Sequence, residues 1–212
     1  MKGITTILFD IDGTILDTSD FIIKAAKYAL SELGYKVPES FAIAKNVGKA
    51  FPDFYFSLTG SNKDTEKLIE IHRAFQYSNF NLARLFPNSL ETLTNLKKKG
   101  YQLGAVTSRS KKTSHQTLID AGIFELFTIV ISNEDAEELK PNPAPLLRAL
   151  EYLKEIPKKS VMIGDSHLDI EAGKNAGTKT IRATYGFHKD NLHNPEPDFF
   201  ISDIKELLPL LP

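Results

Sequence analysis

From Phe86 onward the chain alternates short apolar runs with stretches of helical periodicity, and this alternation restricts the fold more than any other feature. Leu90, Leu93 and Leu96 lie at helical spacing, with Asn88 or Ser89 placed as N-cap and Gly100 just past the end. The apolar run Gln102–Val106 follows and closes on Thr107 and Ser108. A helix over residues 111–121 stops at Gly122, and residues 128–131 form the next strand segment, rich in β-branched side chains. Residues 143–154 read as a helix with Pro143 near its first turn. A strand over 161–163, a helix over His167–Ala176 closed by Gly177, strands over 180–183 and 199–202 and a last helix from Asp203 complete the series. Strands and helices at this pitch make βαβ units, and hence a parallel sheet with helices on both faces. The runs are apolar on both faces, as buried parallel strands are. The expected class is α/β with a doubly wound parallel sheet.

One more apolar run, residues 4–9, leads into Asp10-Ile11-Asp12-Gly13-Thr14. Beyond it the pattern changes. Phe21, Ala25, Tyr28, Ala29 and Leu30, ended by Gly34, describe a helix; residues 51–58 and Thr65–Tyr77 look helical too, with no strand pattern between them. A block of about 65 residues is too long for a loop. The expectation is an all-helical subdomain over residues 17–82, inserted after the first strand into an α/β core formed by 1–16 and 83–212.

Composition removes several function classes. Lys+Arg total 26 against 27 Asp+Glu, a formal charge of −1, and the lysines are scattered, so no nucleic-acid surface is expected. Lys97-Lys98-Lys99 before Gly100 reads as a helix C-terminus favoured by the macrodipole. The absence of cysteine excludes disulfides, thiolate metal sites and cysteine nucleophiles. No apolar stretch reaches the roughly 20 residues that span a bilayer, and Met1-Lys2-Gly3 does not open a signal peptide. The chain is expected to be cytoplasmic, without membrane or nucleic-acid partners; its oligomeric state is open.

Ligands of open parallel sheets bind beyond the carboxyl ends of the strands. There this chain carries Asp10 and Asp12 after one strand, Thr107 and Ser108 after another, Lys140 a few residues beyond a third, and Gly164-Asp165-Ser166 after a fourth. Each has an ordinary structural use alone, as an N-cap, an Asx turn or a solvated lysine. Together on one edge of one sheet they describe a site.

The sequence resembles the haloacid dehalogenase-like (HAD) hydrolase superfamily, in the branch with a helical cap inserted after the first motif. The resemblance rests on "DIDGT" at Asp10 to Thr14, "VTS" at Val106 to Ser108, Lys140 in "KPNPAP" and "GDSHLD" at Gly164 to Asp169, and covers nearly the whole chain. Within the family it is similar to phosphoglycolate phosphatases and the related pyrophosphatases. The resemblance implies a Rossmann-like core and Asp10 as the nucleophile that forms an aspartyl-phosphate. Asp12 would be the acid and base at the leaving group and the hydrolytic water. It further implies Thr107, Ser108 and Lys140 around the phosphoryl group. Mg²⁺ would be held by Asp10, the backbone carbonyl of Asp12 and Asp165, with Asp169 orienting the site from behind. Dehalogenases, phosphonatases and ion-pumping ATPases of the family lack an acid at the position of Asp12, so its presence points to phosphoryl transfer.

The expected function is a Mg²⁺-dependent phosphatase of a small phosphorylated metabolite, phosphoglycolate-like in size. The alternatives are an inorganic pyrophosphatase or a sugar-phosphate mutase of the same superfamily. A phospho-acceptor binding module of the receiver type, not an enzyme, is the remote alternative; there the acidic pair and the phosphorylated Asp sit on different strands, without a long helical insertion. Arg109 reads as a loop residue, or as a contact to a second anionic group of the substrate. Gly48 and Lys49 read as a turn over the substrate, or as a solvated helix connection. The five histidines lack metal-ligand spacing, and the aromatic residues of the insertion read as its own small core, or in part as an apolar wall around a substrate.

Overall fold

The computed structural model describes residues 1–189 and 192–212. Strand β1 (Thr6–Phe9) turns into a two-residue strand, β2 (Leu16–Asp17). Four helices follow with no strand between them: α1 (Ser19–Glu32), α2 (Ser40–Ala44), α3 (Phe51–Thr59) and α4 (Thr65–Tyr77). The chain returns through β3 (Arg84–Leu85) and then alternates: α5 (Ser89–Lys98), β4 (Gln102–Val106), α6 (Lys111–Asp120), β5 (Ile129–Ile131), α7 (Ala144–Leu153), β6 (Ser160–Gly164), α8 (His167–Ala176), β7 (Lys179–Ala183), β8 (Phe199–Ile201) and α9 (Leu207–Leu210).

The main sheet has the order β5-β4-β1-β6-β7-β8, and every pairing in it is parallel. The chain winds outward from β1 to β5, then returns to the other side of β1 and winds out to β8. Winding direction therefore reverses at β1, which opens a crevice beyond the strand ends. Register fixes what faces that crevice. Phe9 pairs with Ala105 on one side and Ile163 on the other, so the residues after these strands emerge side by side.

Alternation along the strands divides the core between the two faces. Ile7, Phe9, Val161 and Ile163 pack with Leu93, Leu96 and Leu118 on one face. Leu8, Met162, Leu146, Leu150 and Ala172 pack on the other. The helices between β2 and β3 build a separate apolar cluster from Phe21, Leu30, Ile43, Phe54, Tyr55 and Leu68. The two chain passages into and out of this block pair as a small antiparallel ribbon, Leu16 with Leu85 and Asp17 with Arg84.

Three elements lie outside the sequence expectation: β2 and β3, which at two residues show no period, and α2, whose five residues are too few for one. The last helix begins as a 3₁₀ turn, Ile204–Glu206, before α9. Lys97 and Lys99 donate to backbone carbonyls of Glu125 and of Leu208 and Leu211, so two of the three consecutive lysines tie α5 to neighbouring segments. No helix among the described residues is long and apolar enough to cross a membrane.

Gly173 in α8 gives a test of how tightly helix and sheet meet. A glycine inside a helix ordinarily gains about 1 kcal/mol when replaced by alanine. Here an added Cβ would lie 2.6 Å from Thr180 Cγ2 and 3.1 Å from Met162 Cβ. Overpacking of that kind costs about 1–3 kcal/mol and outweighs the propensity gain. Gly173→Ala should lower the denaturant midpoint of unfolding rather than raise it.

Candidate active site

Asp10 follows β1 directly, with its amide held by the Ile163 carbonyl at 2.8 Å. Gly13 makes the turn beyond it at φ +78°, where a Cβ would overlap the Asp165 carboxylate, so glycine is required on both counts. Thr107 follows β4, its amide donating to Ile131 at 2.9 Å and its hydroxyl accepting from the Arg109 amide at 3.2 Å. Ser108 Oγ is buried and finds no hydrogen-bond partner among the described residues. Asp165 follows β6, one carboxylate oxygen accepting from the Phe187 amide at 2.6 Å and the His188 amide at 3.2 Å.

Lys140 joins these strand ends. Its ammonium donates to Asp10 Oδ1 at 2.7 Å, Asp169 Oδ1 at 2.6 Å and the Val106 carbonyl at 3.1 Å, which uses all three donors. Asp169 is fixed in turn by a capping box at the start of α8, with Oδ2 accepting from the Ser166 amide at 3.0 Å and hydroxyl at 2.6 Å.

Burial works against the Lys140 ammonium, but Asp10 and Asp169 prevail and hold its pKa above the ordinary value. Burial likewise works to raise Asp169, yet Lys140 and the Ser166 hydrogen bonds hold it below the usual carboxylate range. Asp10 is raised well above that range by burial, which prevails over the opposing Lys140 charge, with Asp169 and Asp12 adding to the rise. Burial and the Asp169 charge push Asp165 up to about 7.

Asp12 points both oxygens at partners. Oδ1 accepts from the Thr18 hydroxyl at 2.5 Å, and Oδ2 lies 3.0 Å from Arg109 Nε. Arg109 is thus engaged in the cavity wall. It is 8% exposed, donates through Nη1 to Thr117 at 2.6 Å and lies 4.7 Å over the Phe21 ring of α1. Gly48 and Lys49 lie on the wall of the same cavity. The Lys49 ammonium bonds Asn46 and Ser57 of its own helical block at 2.8 and 3.1 Å. Two polar wall residues from that block had no place in the sequence-derived site: His72 and Gln76, both buried. Their signal was the spacing of His72 and Gln76 with Leu68 along the buried face of α4, where polar side chains interrupt an apolar stripe.

Asp10, Asp165 and Asp169 bring a carboxylate oxygen each within 4.8 Å of one another. Both Asp169 oxygens are engaged, which leaves Asp10 Oδ2 and Asp165 Oδ1 without hydrogen-bond partners among the described residues. Three buried carboxylates face one ammonium, and two of them are raised in pKa by burial and by the neighbouring carboxylate charge. Hard oxygen donors with that charge deficit fit a hard divalent cation.

A family model described as haloacid dehalogenase-like hydrolase matches residues 7–183. The chain belongs to the haloacid dehalogenase-like hydrolases. It is an enzyme of the hydrolase class on this footing, and its relatives span its whole length. Pyrophosphatase PpaX of Bacillus mycoides is 31% identical over 210 residues, covering 98% of this chain and 97% of that protein. Among solved structures, a predicted phosphoglycolate phosphatase from Haemophilus somnus superposes with a TM-score of 0.92 at 25% identity, covering 100% of both chains. A haloacid dehalogenase-like family hydrolase from Streptococcus pneumoniae gives 0.91 at 25% identity, also over 100% of both.

The charge deficit has a measurable sign. Asp165 at about 7 lies above its ordinary 3.8, so the metal-free folded protein binds more protons than the unfolded chain between those values. Its contribution to stability is therefore lost as pH rises through about 7. A cation needs the carboxylates ionised and opposes the trend. Chelated protein should show a contribution that falls from pH 5 to pH 7.5, and added divalent cation should raise the melting temperature more at pH 7.5 than at pH 5. An equal rise at both would contradict the shared use of these carboxylates by proton and metal.

Proposed function

We propose that the chain is a Mg²⁺-dependent phosphatase that hydrolyses a small phosphorylated metabolite through an aspartyl-phosphate on Asp10. The observation that carries the reading is the placement of Asp10, with one oxygen held by Lys140 and the other free, beside Asp12 and the orphaned Ser108 hydroxyl. The Asp10 carboxylate is the attacking group: a bond from one of its oxygens to phosphorus forms as the bond to the leaving oxygen breaks. Asp12 gives the leaving oxygen a proton and takes one from the water that then cleaves the acyl phosphate. Thr107 and Ser108 bind the phosphoryl oxygens, while Lys140 keeps the Asp10 carboxylate aimed and offers its positive charge to the phosphoryl group. Asp10, the Asp12 carbonyl and Asp165 would hold Mg²⁺, which supplies positive charge against the approach of two anions. Residues 17–82 act as a cap whose closure excludes bulk water.

Pyrophosphate is the second substrate reading, supported by the full-length likeness to Pyrophosphatase PpaX. A panel of phosphomonoesters and pyrophosphate, assayed with Mg²⁺ and with excess chelator, tests both. Hydrolysis should require the cation; undiminished turnover in chelator would exclude this mechanism.

Two substitutions separate the aspartates. Asp10→Asn should abolish turnover, because the nucleophile is gone. Asp12→Asn should keep substrate affinity and lower kcat by about 10²–10⁴-fold, the usual worth of a general acid–base group. Parent-level turnover by Asp12→Asn in steady-state assays would remove Asp12 from that role.

A further inference from the structure

The part of a substrate beyond its phosphoryl group must lie on the Asp12 side of the cavity, where the leaving oxygen meets its proton donor. Two buried donors without partners stand at that side. The planar guanidinium of Arg109 presents Nε and Nη2 along one edge. Nε is on Asp12, while Nη2 is buried and has no partner among the described residues. Thr117 and the Phe21 ring fix the orientation of this edge before any ligand arrives.

The second donor is His72, fully buried on α4 and part of the cavity wall. Its Nδ1 lies 2.8 Å from the Tyr55 hydroxyl. If Nδ1 carried the proton, both the phenol hydrogen and the Nε2 lone pair would be left unsatisfied. With the Tyr55 hydroxyl donating to Nδ1, a single unmatched group remains, the Nε2–H, and Nε2 is buried without a partner among the described residues. Burial, reinforced by the charges of Arg109 and Arg73, pushes the His72 pKa down to about 3, so the ring stays neutral. Gln76 extends the same wall one turn along α4.

Both unmatched groups are donors. A hydroxyl-rich leaving group needs acceptors as well, whereas a carboxylate or phosphate needs donors alone. The remaining wall is mostly apolar, with Ile22, Val47, Phe51 and Phe54 beside the polar Gln76 and Thr113, and the cavity holds about 60 Å³. A single water needs roughly 10–15 Å³, so the cavity favours a small leaving group over a large one.

We propose that Arg109 and His72 form a subsite for a second anionic group of the substrate, so that the enzyme selects small phosphoryl compounds whose leaving group carries a carboxylate or a phosphate. The proposal rests on the phosphatase reading above for what is cleaved, and on the two orphaned donors for what is recognised.

Phosphoglycolate, pyrophosphate and glycerol phosphate, the last with a neutral leaving group of similar size, are compared by kcat/KM. At least one anionic substrate should exceed glycerol phosphate by tenfold or more, and which one leads tells carboxylate from phosphate. Arg109→Gln should reduce that ratio by about 10–100-fold and His72→Phe by about tenfold, the usual worth of hydrogen bonds to a charged group. Arg109→Lys and His72→Gln, which keep a charge or a donor, should lose less; they also serve if the larger changes impair folding. A ratio near one in the parent, or one that survives substitution at both positions, overturns the proposal. Calorimetry with Mg²⁺ separates the two readings. Methylenebisphosphonate or phosphonoacetate should bind more tightly than ethylphosphonate, and Arg109→Gln should erase the difference. If nothing is hydrolysed but this preference holds, the subsite stands and the catalytic reading falls. If the preference is absent, the subsite is overturned whatever the turnover.

Discussion

The Lys140 ammonium is the interaction on which the arrangement of the site depends. It bonds Asp10 after β1, the Val106 carbonyl at the end of β4, and Asp169 in α8, while its own backbone belongs to the segment between β5 and α7. One cation thus ties several segments around the sheet edge together. Breaking a buried pair by removing one partner leaves the other charge uncompensated, at about 3–5 kcal/mol. Here loss of the lysine would leave two carboxylates facing each other, so its structural and chemical duties cannot be separated by simple deletion.

The same economy of charge organises the rest of the cavity. Lys140 pairs with Asp10, and Arg109 pairs with Asp12 on the other side of the cavity. The carboxylates that remain in excess, Asp10 and Asp165, are those with a free oxygen. Surplus negative charge and free ligand atoms coincide, which makes the cluster receptive to a cation and costly to leave without one.

Much of this was legible in the chain because strand ends are local in sequence. Gln102–Val106 and His167–Ala176 were read at the bounds they have in the structure, since short apolar runs, a serine cap and a closing glycine mark them. Asp10, Thr107 and Asp165 follow strands directly, so locating the strands located them. The order of the strands required the structure, because parallel crossovers leave no trace of which neighbour each strand chooses. His72 and Gln76 were hidden for another reason. Their importance comes from being polar on a buried helix face, and burial depends on what α4 packs against. Arg109 was visible in the chain, but its burial was not: the Asp12 and Phe21 contacts that help to bury it join residues far apart in sequence.

The loop after β7 links the α/β core to the helical block, in addition to the β2–β3 ribbon and the contact of Arg109 with Phe21. Its Phe187 and His188 amides hold Asp165, while the Phe187 ring packs in the apolar cluster of the helical block and His188 Nε2 lies 2.9 Å from the Val47 carbonyl. The acid that completes the carboxylate cluster is therefore mechanically attached to the block above it. Any displacement of that block that breaks these contacts also disturbs the two amides on Asp165, and by reciprocity whatever binds at Asp165 biases the position of the block.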